Sequence, residues 1–260
     1  YYASRGLGDV YKRQNICQIK YDNRVNQALT KADLLISSIP DSYHAIKKYK
    51  HLKSVIIPET GCFKSKSTNQ KTYGTDKKEL HILWVGKFDF RKQLNIALET
   101  VAQLKHLENL HLSICGTGNE KQNLHYKQVA TKLGITQQVT WHGNLNNAQV
   151  LDLMKSVDLF FFTSVSEDTS TVVLEAISSQ LPILCFDTCG FGYVINEKVG
   201  IKIPLTNPKQ SVKDFAEKID FLYQHRNILQ QMSNNCKQRQ EELSVSYTHL
   251  RAHETRSNLV

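Results

Sequence analysis

Two glutamates and two lysines stand close to the predicted ends of apolar strands, and they are the side chains best suited to chemistry. Glu167 follows the apolar run DLFFFT, and Glu175 lies eight residues beyond it in a predicted helix. Lys87 and Lys92 flank the loop GKFDFRK at the end of another predicted strand. Carboxylates accept hydrogen bonds from hydroxyl groups, whereas ammonium groups attract phosphates. The four side chains therefore predict a site for a ligand that carries both hydroxyls and an anionic group.

The segment between the two glutamates adds backbone donors to this site. Asp168, Thr169, Ser170 and Thr171 form a polar loop whose side chains suit the start of a helix. Amide N–H groups at a helix N-terminus would point into the crevice at the strand ends and attract phosphate. Each feature alone also has an ordinary explanation, as a solvated basic loop, a capping acid or an acid on a helix surface.

Glycines at the strand ends would let a ligand approach the backbone closely. Gly86 opens the lysine-containing loop, and Gly116 and Gly118 follow the next predicted strand. This second turn does not match the dinucleotide-binding pattern GxGxxG, because Lys121 stands where the third glycine is required. The turn is therefore either a ligand-lining loop or only a tight connection between a strand and a helix.

Strand and helix patterns alternate over residues 80–243 and would position these residues. Apolar runs predict strands at 80–88, 110–115, 139–142, 158–163, 182–186 and 200–203, and helical periodicity predicts helices at 94–104, 120–133, 150–157 and 171–179, with one or two more over 209–243. Near-continuous apolar strands separated by helices indicate a parallel sheet covered on both faces. The predicted fold class is α/β, a doubly wound parallel sheet, with its ligand at the carboxyl ends of the strands.

The preceding residues form a separate zone. Residues 32–39 and 54–57 predict two short strands around a helix-compatible stretch. Residues 64–79 are rich in lysine, serine and threonine and lack an apolar period, which indicates a linker. We therefore expect the remnant of one domain before the linker (15–63) and a complete domain after it (80–243).

Taken together, the motifs of the larger zone resemble those of the family-4 type, or group 1, retaining glycosyltransferases of the two-domain GT-B architecture. The spacing of Glu167 and Glu175 is similar to the Glu-x7-Glu motif of that family, and the GKFDFRK loop is similar to its G-R-L-x-x-x-K loop. The segment VTWHG at 139–143 resembles its V-x-F-x-G motif. The resemblance implies that residues 80–243 are the Rossmann-like C-terminal domain, which binds a nucleotide-sugar donor.

A weaker resemblance extends to the smaller zone. ADLLISS at 32–38 resembles a strand near the end of the N-terminal domain of the family, and IPETG at 57–61 stands where the family has I-P-N-G. The resemblance implies that residues 15–63 are a remnant of the N-terminal, acceptor-binding domain.

The resemblance also implies a role for each matching residue. Lys87, Lys92 and Glu167 would be catalytic, since the lysines would hold the departing diphosphate and Glu167 would contact the donor sugar. Glu175 would accept hydrogen bonds from the ribose hydroxyls. The other donor-binding residues would line the cleft or contact the nucleobase, the sugar and the phosphates. They are Gly86, Gly116, Gly118, Gly143, Asn144, Leu145, Thr169, Ser170, Thr171 and Val172.

The implied reaction is transfer of a hexose-like sugar to an acceptor hydroxyl with retention of configuration. Paired cations and helix dipoles would stabilise the departing diphosphate, so the resemblance implies neither a metal nor another cofactor. The acceptor would be a glycan or a lipid-linked molecule, as in the synthesis of cell-envelope polysaccharides or glycolipids. Since most of the acceptor domain is not matched, we expect this chain alone to bind donor without catalysing transfer. The alternative is a non-catalytic nucleotide-sugar-binding domain.

Two departures from the family pattern fall at the site. EDTS at 167–170 replaces the common E-G-F/T/L-G/P, so a glycine is lost and a carboxylate is added. CGFG at 189–192 stands where Gly-Gly is common. The first departure restricts the backbone angles of the loop beside the predicted anion site.

Composition and charge exclude other classes of protein. The 260 residues are 40% hydrophobic and 22% charged, which excludes wholesale disorder, and no apolar run approaches the length of a membrane-spanning helix. The six cysteines form no CxxC pair, which indicates reduced thiols in a cytoplasmic protein. The dispersed lysines do not suggest a nucleic-acid-binding face. Lysines at 47–53 and 64–78 favour peripheral contact with an anionic inner membrane surface, the alternative being solvated lysines.

The two ends of the chain resemble translated adapter DNA. YYASRGLGDVYKRQ at 1–14 and SYTHLRAHETRSNLV at 246–260 lack a sustained apolar period. They carry net charges of +2 and +1, so the residues between them carry +6 of the total of +9. We expect both tails to be artefactual additions to a natural segment of 15–245.

Overall fold

The computed structural model describes residues 21–37, 51, 53–56, 61–62, 72–73, 79–167 and 170–244. The chain forms two compact units, Tyr1–Glu59 and Thr60–Val260. Both predicted tails, the helix-compatible stretch 41–49 and most of the predicted linker lie outside the described residues, as do Asp168 and Thr169.

The first unit contains a helix and two parallel strands. Helix α1 (Asn23–Lys31) begins after Asp22, whose side chain accepts a hydrogen bond from the amide of Arg24 at 2.8 Å. Strands β1 (Leu35–Ser37) and β2 (Ser54–Ile56) pair in parallel, and both lie inside the apolar runs that predict them. The sequence pattern does not predict α1, because most of its residues are polar.

The second unit is built on a six-stranded parallel sheet. Its strands are β3 (Leu80–Val85), β4 (Leu110–Cys115), β5 (Val139–Gly143), β6 (Leu159–Phe162), β7 (Ile183–Phe186) and β8 (Gly200–Ile203). All six predicted strands are present. The largest difference is at β3, which ends at Val85 instead of the predicted residue 88, because the chain turns at Gly86 into the loop that follows.

The order of the strands places a switch point at the centre of the sheet. Across the sheet the strands run β5-β4-β3-β6-β7-β8. The chain thus moves outward from β3 on one side and outward from β6 on the other, so that β3 and β6 are neighbours. In doubly wound sheets, ligands bind beyond the carboxyl ends of the strands at such a point. The loops that follow β3 and β6 carry Lys92 and Glu167, respectively.

Helices cover both faces of the sheet. They are α2 (Leu94–Gln103), α3 (Glu120–Lys132), α4 (Asn147–Ser156), α5 (Thr171–Ser178), α6 (Phe191–Val194), α7 (Pro208–Gln224) and α8 (Arg226–Glu242). Helix α2 packs on α7, and α5 packs on α8. The sequence pattern misses only α6 among these, since a single turn is too short to show periodicity. Within the described part of the chain, no helix is both long enough and apolar enough to cross a membrane.

Alternate side chains of the central strands enter two separate cores. Trp84 of β3 and Phe161 of β6 lie in one core, whereas Leu83 of β3 and Phe160 of β6 lie in the other. All four side chains are buried. Burial on both faces explains why β6 is apolar at every position, as is typical of parallel sheets. The apolar area removed from water in the two cores is the main force that holds the sheet and helices together.

The segment before β3 contacts the closing helix α8 and the residue that follows it. Tyr73 lies within the predicted linker, yet its side chain is buried in the core. Its amide donates a hydrogen bond to Oε1 of Gln230 in α8 at 2.8 Å. Further upstream, the amide of the buried Cys62 donates to the carbonyl of Leu243 at 2.8 Å. The polar composition of this segment does not show these anchoring contacts.

Most of the described cysteines are buried thiols. Cys62, Cys115, Cys185 and Cys236 are buried, and Cys189 is partly exposed. Burial raises the pKa of Cys115 to about 11 and also raises the pKa of Cys62 and Cys185. The folded chain therefore disfavours ionisation of these thiols.

We expect the folded chain to lose stability in alkaline solution. A thiol whose pKa is raised by folding stays neutral in the native state but ionises in the unfolded chain above its ordinary pKa of 9.0. The contribution of the neutral Cys115 thiol to stability should be complete below that pH, and its loss should lower the free energy of unfolding by about 1–3 kcal/mol as the pH rises to about 11. Urea unfolding under reducing conditions at several pH values measures this decline. Cys115→Ala should make it shallower, and an identical slope in both proteins would contradict the assignment.

Candidate active site

The loop after β3 is held in one conformation by its own side chains. Asp89 precedes a short 3₁₀ helix (Phe90–Lys92), and its side chain accepts hydrogen bonds from the amides of Arg91 and Lys92. Gln93 follows with a φ of 50°, in the left-handed region, and its side chain donates to a carbonyl of the same helix. This local geometry sets the direction in which the Lys92 side chain leaves the backbone.

A buried chain of hydrogen bonds joins this loop to the end of β6. Nε1 of Trp84 donates to Oγ1 of Thr163 at 2.9 Å, and the Thr163 hydroxyl donates to the carbonyl of Lys92 at 2.7 Å. The amide of Val165 adds a bond to the carbonyl of Arg91 at 2.9 Å. Satisfied polar groups in a buried place fix the elements that carry them. The two loops at the switch point are therefore held together.

Lys92 and Glu167 form an ion pair at the switch point. Nζ of Lys92 lies 2.8 Å from Oε1 of Glu167, and only 14% and 16% of the two side chains are exposed. The hydroxyl of the buried Ser164 donates to the same carboxylate oxygen at 3.0 Å. Nζ also lies 5.1 Å from the centre of the Phe162 ring, a distance that suits a cation–π contact. Two charged side chains that follow different strands in the chain are thus in direct contact.

This pair gives the site both an anion-binding and a hydroxyl-binding group. Low exposure lowers the effective dielectric constant, so a charged ligand would interact strongly with both side chains. A phosphate bound at Lys92 would share that cation with Glu167. Oε2 of Glu167 has no partner among the described residues and can accept a hydrogen bond from a hydroxyl. The pair therefore suits a ligand with a phosphate next to a hydroxylated group.

Cys189 borders the site from the loop after β7. Its φ is 58°, in the left-handed region that non-glycine residues seldom adopt. Its Sγ accepts a hydrogen bond from the amide of Glu167 at 3.5 Å and lies 3.8 Å from the carbonyl oxygen of Val165. The departure from the Gly-Gly pattern of the family therefore places a sulfur atom against the backbone of Glu167.

Three glycines from neighbouring strands meet at the carboxyl edge of the sheet. The amide of Gly116 donates to the carbonyl of Gly143 at 2.7 Å. Gly116 has a φ of 141°, and a Cβ atom there would lie 1.7 Å from the carbonyl oxygen of Gly86. Gly143 has a φ of 69°, but open space surrounds the position of its missing side chain. Close packing therefore requires the first glycine, whereas the second leaves room for a ligand.

Gly118 has a structural explanation of its own. Its amide donates to Oδ1 of Asn123 at 2.9 Å, and a Cβ atom at Gly118 would lie 2.5 Å from Oε1 of Gln122. Nε2 of Gln122 donates to the carbonyl of Phe88 at 2.7 Å. The first turn of α3 thus connects the loops after β3 and β4, and a tight connection accounts for Gly118 without a ligand.

Helix α5 carries the second glutamate and begins at Thr171. Ser170 occupies the N-cap position, but its side chain makes no capping hydrogen bond, which differs from the capping predicted for this loop. The amides of Thr171 and Val172 lie in the first turn, where a helix provides no acceptor. The helix itself therefore leaves these two donors available to an anion.

Glu175 lies in the second turn of α5 and is linked to the start of α4. Its Oε1 accepts a hydrogen bond from Nδ2 of Asn147 at 2.7 Å. Asn147 is the first residue of α4, and the predicted base-binding residues Asn144 and Leu145 lie just before it in the chain. The fold thus places Glu175 close to that segment.

The predicted site residues are not all equally well placed. The Lys87 side chain is exposed and makes no hydrogen bond or ion pair with any residue that the structure describes, although the Lys87 carbonyl accepts a hydrogen bond from the amide of Asp89 at 2.8 Å. Thr169 lies outside the described part of the chain, so its predicted role stays a prediction. Lys92 and Glu167 lie in direct contact, and the strand-end glycines Gly86, Gly116 and Gly143 are neighbours. Over 79–167 and 170–244 and the shorter described segments, no three or more His, Cys, Asp or Glu side chains cluster as metal ligands would.

Sequence reasoning missed several residues of this arrangement. Thr163 and Ser164 follow β6 directly, and their position at a strand end was a usable clue. Trp84 and Asn147 offered none, because an indole in an apolar strand and an asparagine at a helix start both have common structural explanations. Their hydrogen-bond partners lie far away in the chain, and only the fold brings them together.

A doubly wound parallel sheet with an ion pair at its switch point and glycine turns at its carboxyl edge defines a Rossmann-like fold, in which ligands bind at the strand ends. A family model described as "Glycosyl transferases group 1" matches residues 65–239, a range that includes Lys92, Glu167 and Glu175. The chain belongs to the group 1 glycosyltransferase family, a family of sugar transferases, which confirms the resemblance to group 1.

Two curated relatives match the chain over about half of its length. The chain is 26% identical over 140 residues to the uncharacterized glycosyltransferase MJ1607 of Methanocaldococcus jannaschii, a match that covers 54% of the chain and 35% of the relative. It is 27% identical over 131 residues to the lipopolysaccharide glucosyltransferase WaaG of Escherichia coli, which covers 50% and 34%. The matches thus span about a third of the length of these relatives.

Solved structures share the fold. The pneumococcal O-GlcNAc transferase GtfA, in complex with UDP and GlcNAc, superposes with a TM-score of 0.67 at 20% identity. The match covers 92% of this chain and 47% of GtfA. This likeness confirms the predicted α/β fold with its parallel sheet, of the kind found in GT-B glycosyltransferases.

Proposed function

We propose that this chain binds the donor of a retaining glycosyltransferase reaction, in which a hexose-like sugar passes from a nucleotide-sugar to an acceptor hydroxyl. The observation that carries the proposal is the Lys92–Glu167 pair at the switch point of the sheet. Membership of the group 1 family supports it, as does the UDP in the GtfA complex, a protein with the same fold.

In this proposal the diphosphate binds between Lys92 and the start of α5. Lys92 supplies a positive charge whose position is set by Glu167, Thr163 and the 3₁₀ helix. The amides of the first turn of α5 add donors and the positive end of the helix dipole. The exposed Lys87 acts as a second cation that reaches the ligand from solvent.

The sugar and the nucleoside occupy the two sides of the diphosphate. Glu167 accepts a hydrogen bond from a hydroxyl of the donor sugar through Oε2. Glu175 accepts hydrogen bonds from the ribose hydroxyls, and Gly143, Asn144 and Leu145 border the nucleobase. The open space at Gly143 and its closeness to Gly116 support this assignment. Gly86, Thr169 and Ser170 complete the predicted lining of the cleft, whereas the tight turn after β4 alone accounts for Gly118.

The proposed chemistry breaks the bond between the anomeric carbon and the phosphate oxygen. The bonding electrons leave with the diphosphate, on which negative charge increases in the transition state. Lys92 and the start of α5 are already positioned to stabilise that charge, so they lower the barrier without reorganising. The new bond forms to the acceptor oxygen on the same face of the sugar. In this scheme the protein supplies all the cationic stabilisation, without a metal.

We further propose that the acceptor side of the reaction is formed by residues of a longer protein. Residues 15–63 would be the remnant of an acceptor-binding domain, 64–79 the connection and 80–243 the donor-binding domain. Because the matches span only about a third of the curated relatives, this chain alone would bind donor without transferring the sugar. The acceptor would be a glycan or a lipid-linked molecule at the cytoplasmic face of a membrane, in cell-envelope polysaccharide or glycolipid synthesis.

Calorimetric titration of the 260-residue chain with UDP, GDP and ADP tests donor binding. We expect at least one of them to bind, and we expect Glu175→Ala to weaken that binding by about tenfold or more, the usual effect of losing hydrogen bonds to a charged group. Glu217→Ala is a matched control, because Glu217 is an exposed helix acid on α7. Absence of binding by a chain that unfolds cooperatively in the same buffer would refute the proposal.

A further inference from the structure

Two adjacent asparagines at the start of α4 make different contacts. The side chain of Asn146 accepts a hydrogen bond from the amide of Gln149 at 3.0 Å, and the Gln149 side chain accepts one from the amide of Asn146 at 3.0 Å. This reciprocal pair is a capping box. Either asparagine has a side chain that could cap the helix, and the structure assigns that role to Asn146.

Asn147 reaches instead across to another helix. Its Nδ2 donates to Oε1 of Glu175 in α5 at 2.7 Å. An ionised carboxylate only accepts hydrogen bonds, so the amide nitrogen, not the amide oxygen, must be the atom that faces Glu175. Asn147 is exposed and Glu175 is half-buried, so water would satisfy both groups if the bond were absent. The bond therefore adds little to stability.

The effect of this bond is on the conformation of Glu175. A free glutamate side chain exchanges among several rotamers, and fixing it costs conformational entropy. Asn147 holds one carboxylate oxygen in advance and leaves Oε2 to accept a hydrogen bond from a ligand. A carboxylate that is already oriented loses less entropy when the ligand binds, so a correctly placed hydroxyl contributes more to the affinity.

We propose that Asn147 is a positioning residue that orients Glu175 toward the ribose hydroxyls and so sets the preference of the site for ribonucleotides over 2′-deoxyribonucleotides. This inference rests on the proposed function, because it takes Glu175 as the acceptor for the ribose. In this inference Asn147 does not touch the reacting atoms. It controls the selectivity of the site through Glu175, which contacts the ligand.

Calorimetry of the full chain with a nucleoside diphosphate and its 2′-deoxy counterpart tests the inference. The nucleotide is whichever of UDP, GDP and ADP binds the unmodified chain most tightly. We expect the 2′-deoxy form to bind about tenfold or more weakly, since it lacks a hydroxyl that bonds a charged group. In Asn147→Ala that ratio should fall below about threefold, mainly because the ribonucleotide binds less tightly.

Two further variants distinguish an effect on the orientation of Glu175 from an effect on folding. Asn147→Asp keeps the shape of the side chain but removes the donor and adds a like charge, so it should lower the ratio at least as much as alanine does. Asn146→Ala removes the cap, so it should destabilise the chain to urea while leaving the ratio unchanged. The adjacent asparagines should therefore show opposite patterns in stability and in selectivity.

The possible failures are distinguishable. If the unmodified chain folds but binds no nucleoside diphosphate, the proposed function itself fails. If it binds ribonucleotides and 2′-deoxyribonucleotides with different affinities and Asn147→Ala preserves that ratio, the role of Asn147 is refuted while the proposed function stands. If Asn146→Ala lowers the ratio as much as Asn147→Ala, the effect comes from helix α4 as a whole, and the inference is overturned.

Discussion

Replacing Lys92 with alanine is expected to weaken the binding of a nucleoside diphosphate about 10- to 100-fold, because the ligand loses a fixed cation in a poorly hydrated place. The variant also leaves the Glu167 carboxylate with the Ser164 hydroxyl as its described side-chain partner. Since only 16% of the Glu167 side chain is exposed, water compensates incompletely. We expect the free energy of unfolding to fall by about 1–3 kcal/mol, less than for a fully buried pair. Calorimetric titration and urea unfolding measure the two effects.

Glu167→Gln is expected to change the affinity in the opposite direction. The carboxylate competes with phosphate for Lys92 and repels it, so an uncharged amide should tighten nucleoside diphosphate binding about 3- to 10-fold. Sugar transfer by a longer, active form of the protein should nevertheless decrease, because the proposed acceptor for the donor hydroxyl is weakened. Opposite signs for binding and transfer would distinguish a catalytic carboxylate from one that only supports the lysine.

Lys155 provides the matched control for Lys92. Its Nζ also lies 2.8 Å from a carboxylate oxygen, that of Asp152, but 58% of its side chain is exposed. Lys155→Ala should therefore leave nucleotide affinity unchanged and alter stability by less than about 1 kcal/mol. If the two lysine variants behave alike, the Lys92–Glu167 pair is not part of a ligand site.

Gly116→Ala is expected to destabilise the chain by more than about 3 kcal/mol, and it has the largest expected effect on folding. The added Cβ would lie 1.7 Å from the carbonyl oxygen of Gly86, and the φ of 141° is one that other residues seldom adopt. Two backbone strands cannot separate without breaking the bonds between β3 and β4. The measurement is the midpoint of urea unfolding, or loss of the folded chain on expression.

Gly143→Ala distinguishes the energetic cost of a steric clash from the cost of a positive φ. This glycine also has a positive φ, 69°, but nothing lies within 4 Å of the position of a Cβ atom. Only the conformational penalty applies, and we expect it to be about 1–2 kcal/mol. Equal losses in the two variants would show that the contact between Gly116 and Gly86 is not what requires a glycine.

The central sheet could be predicted because its strands are buried on both faces. Continuous apolar runs such as the one that contains β6 have few alternatives in a chain of repeated strand and helix patterns. Boundaries were less predictable, because they depend on loop contacts. Strand β3 ends just before Gly86, and the loop that follows is held by hydrogen bonds of Lys92 to Asp89 and to the Thr163 hydroxyl. A pattern of apolar residues reveals neither contact.

The candidate site could be predicted in its residue types but not in its contacts. Lys92 and Glu167 each follow a strand, so their presence at one sheet edge follows from the topology. Their direct ion pair depends on rotamers and on the Ser164 hydroxyl, which no spacing rule describes. The bond from Asn147 to Glu175 joins the first residue of α4 to the second turn of α5, and only the fold brings these two residues together.

The ion pair joins the loops after β3 and β6, so its two charges meet only when both strands have taken their places in the sheet. These two strands are neighbours in the sheet, yet two strands and three helices separate them in the chain. Either half of the sheet alone would hold only one of the two charges. Closing a loop of this length costs entropy before the contact forms, so a chain in which β3 and β6 have not yet paired would lack the complete site. A bound ligand would therefore stabilise the assembled domain as a whole, and its affinity would report on completed folding.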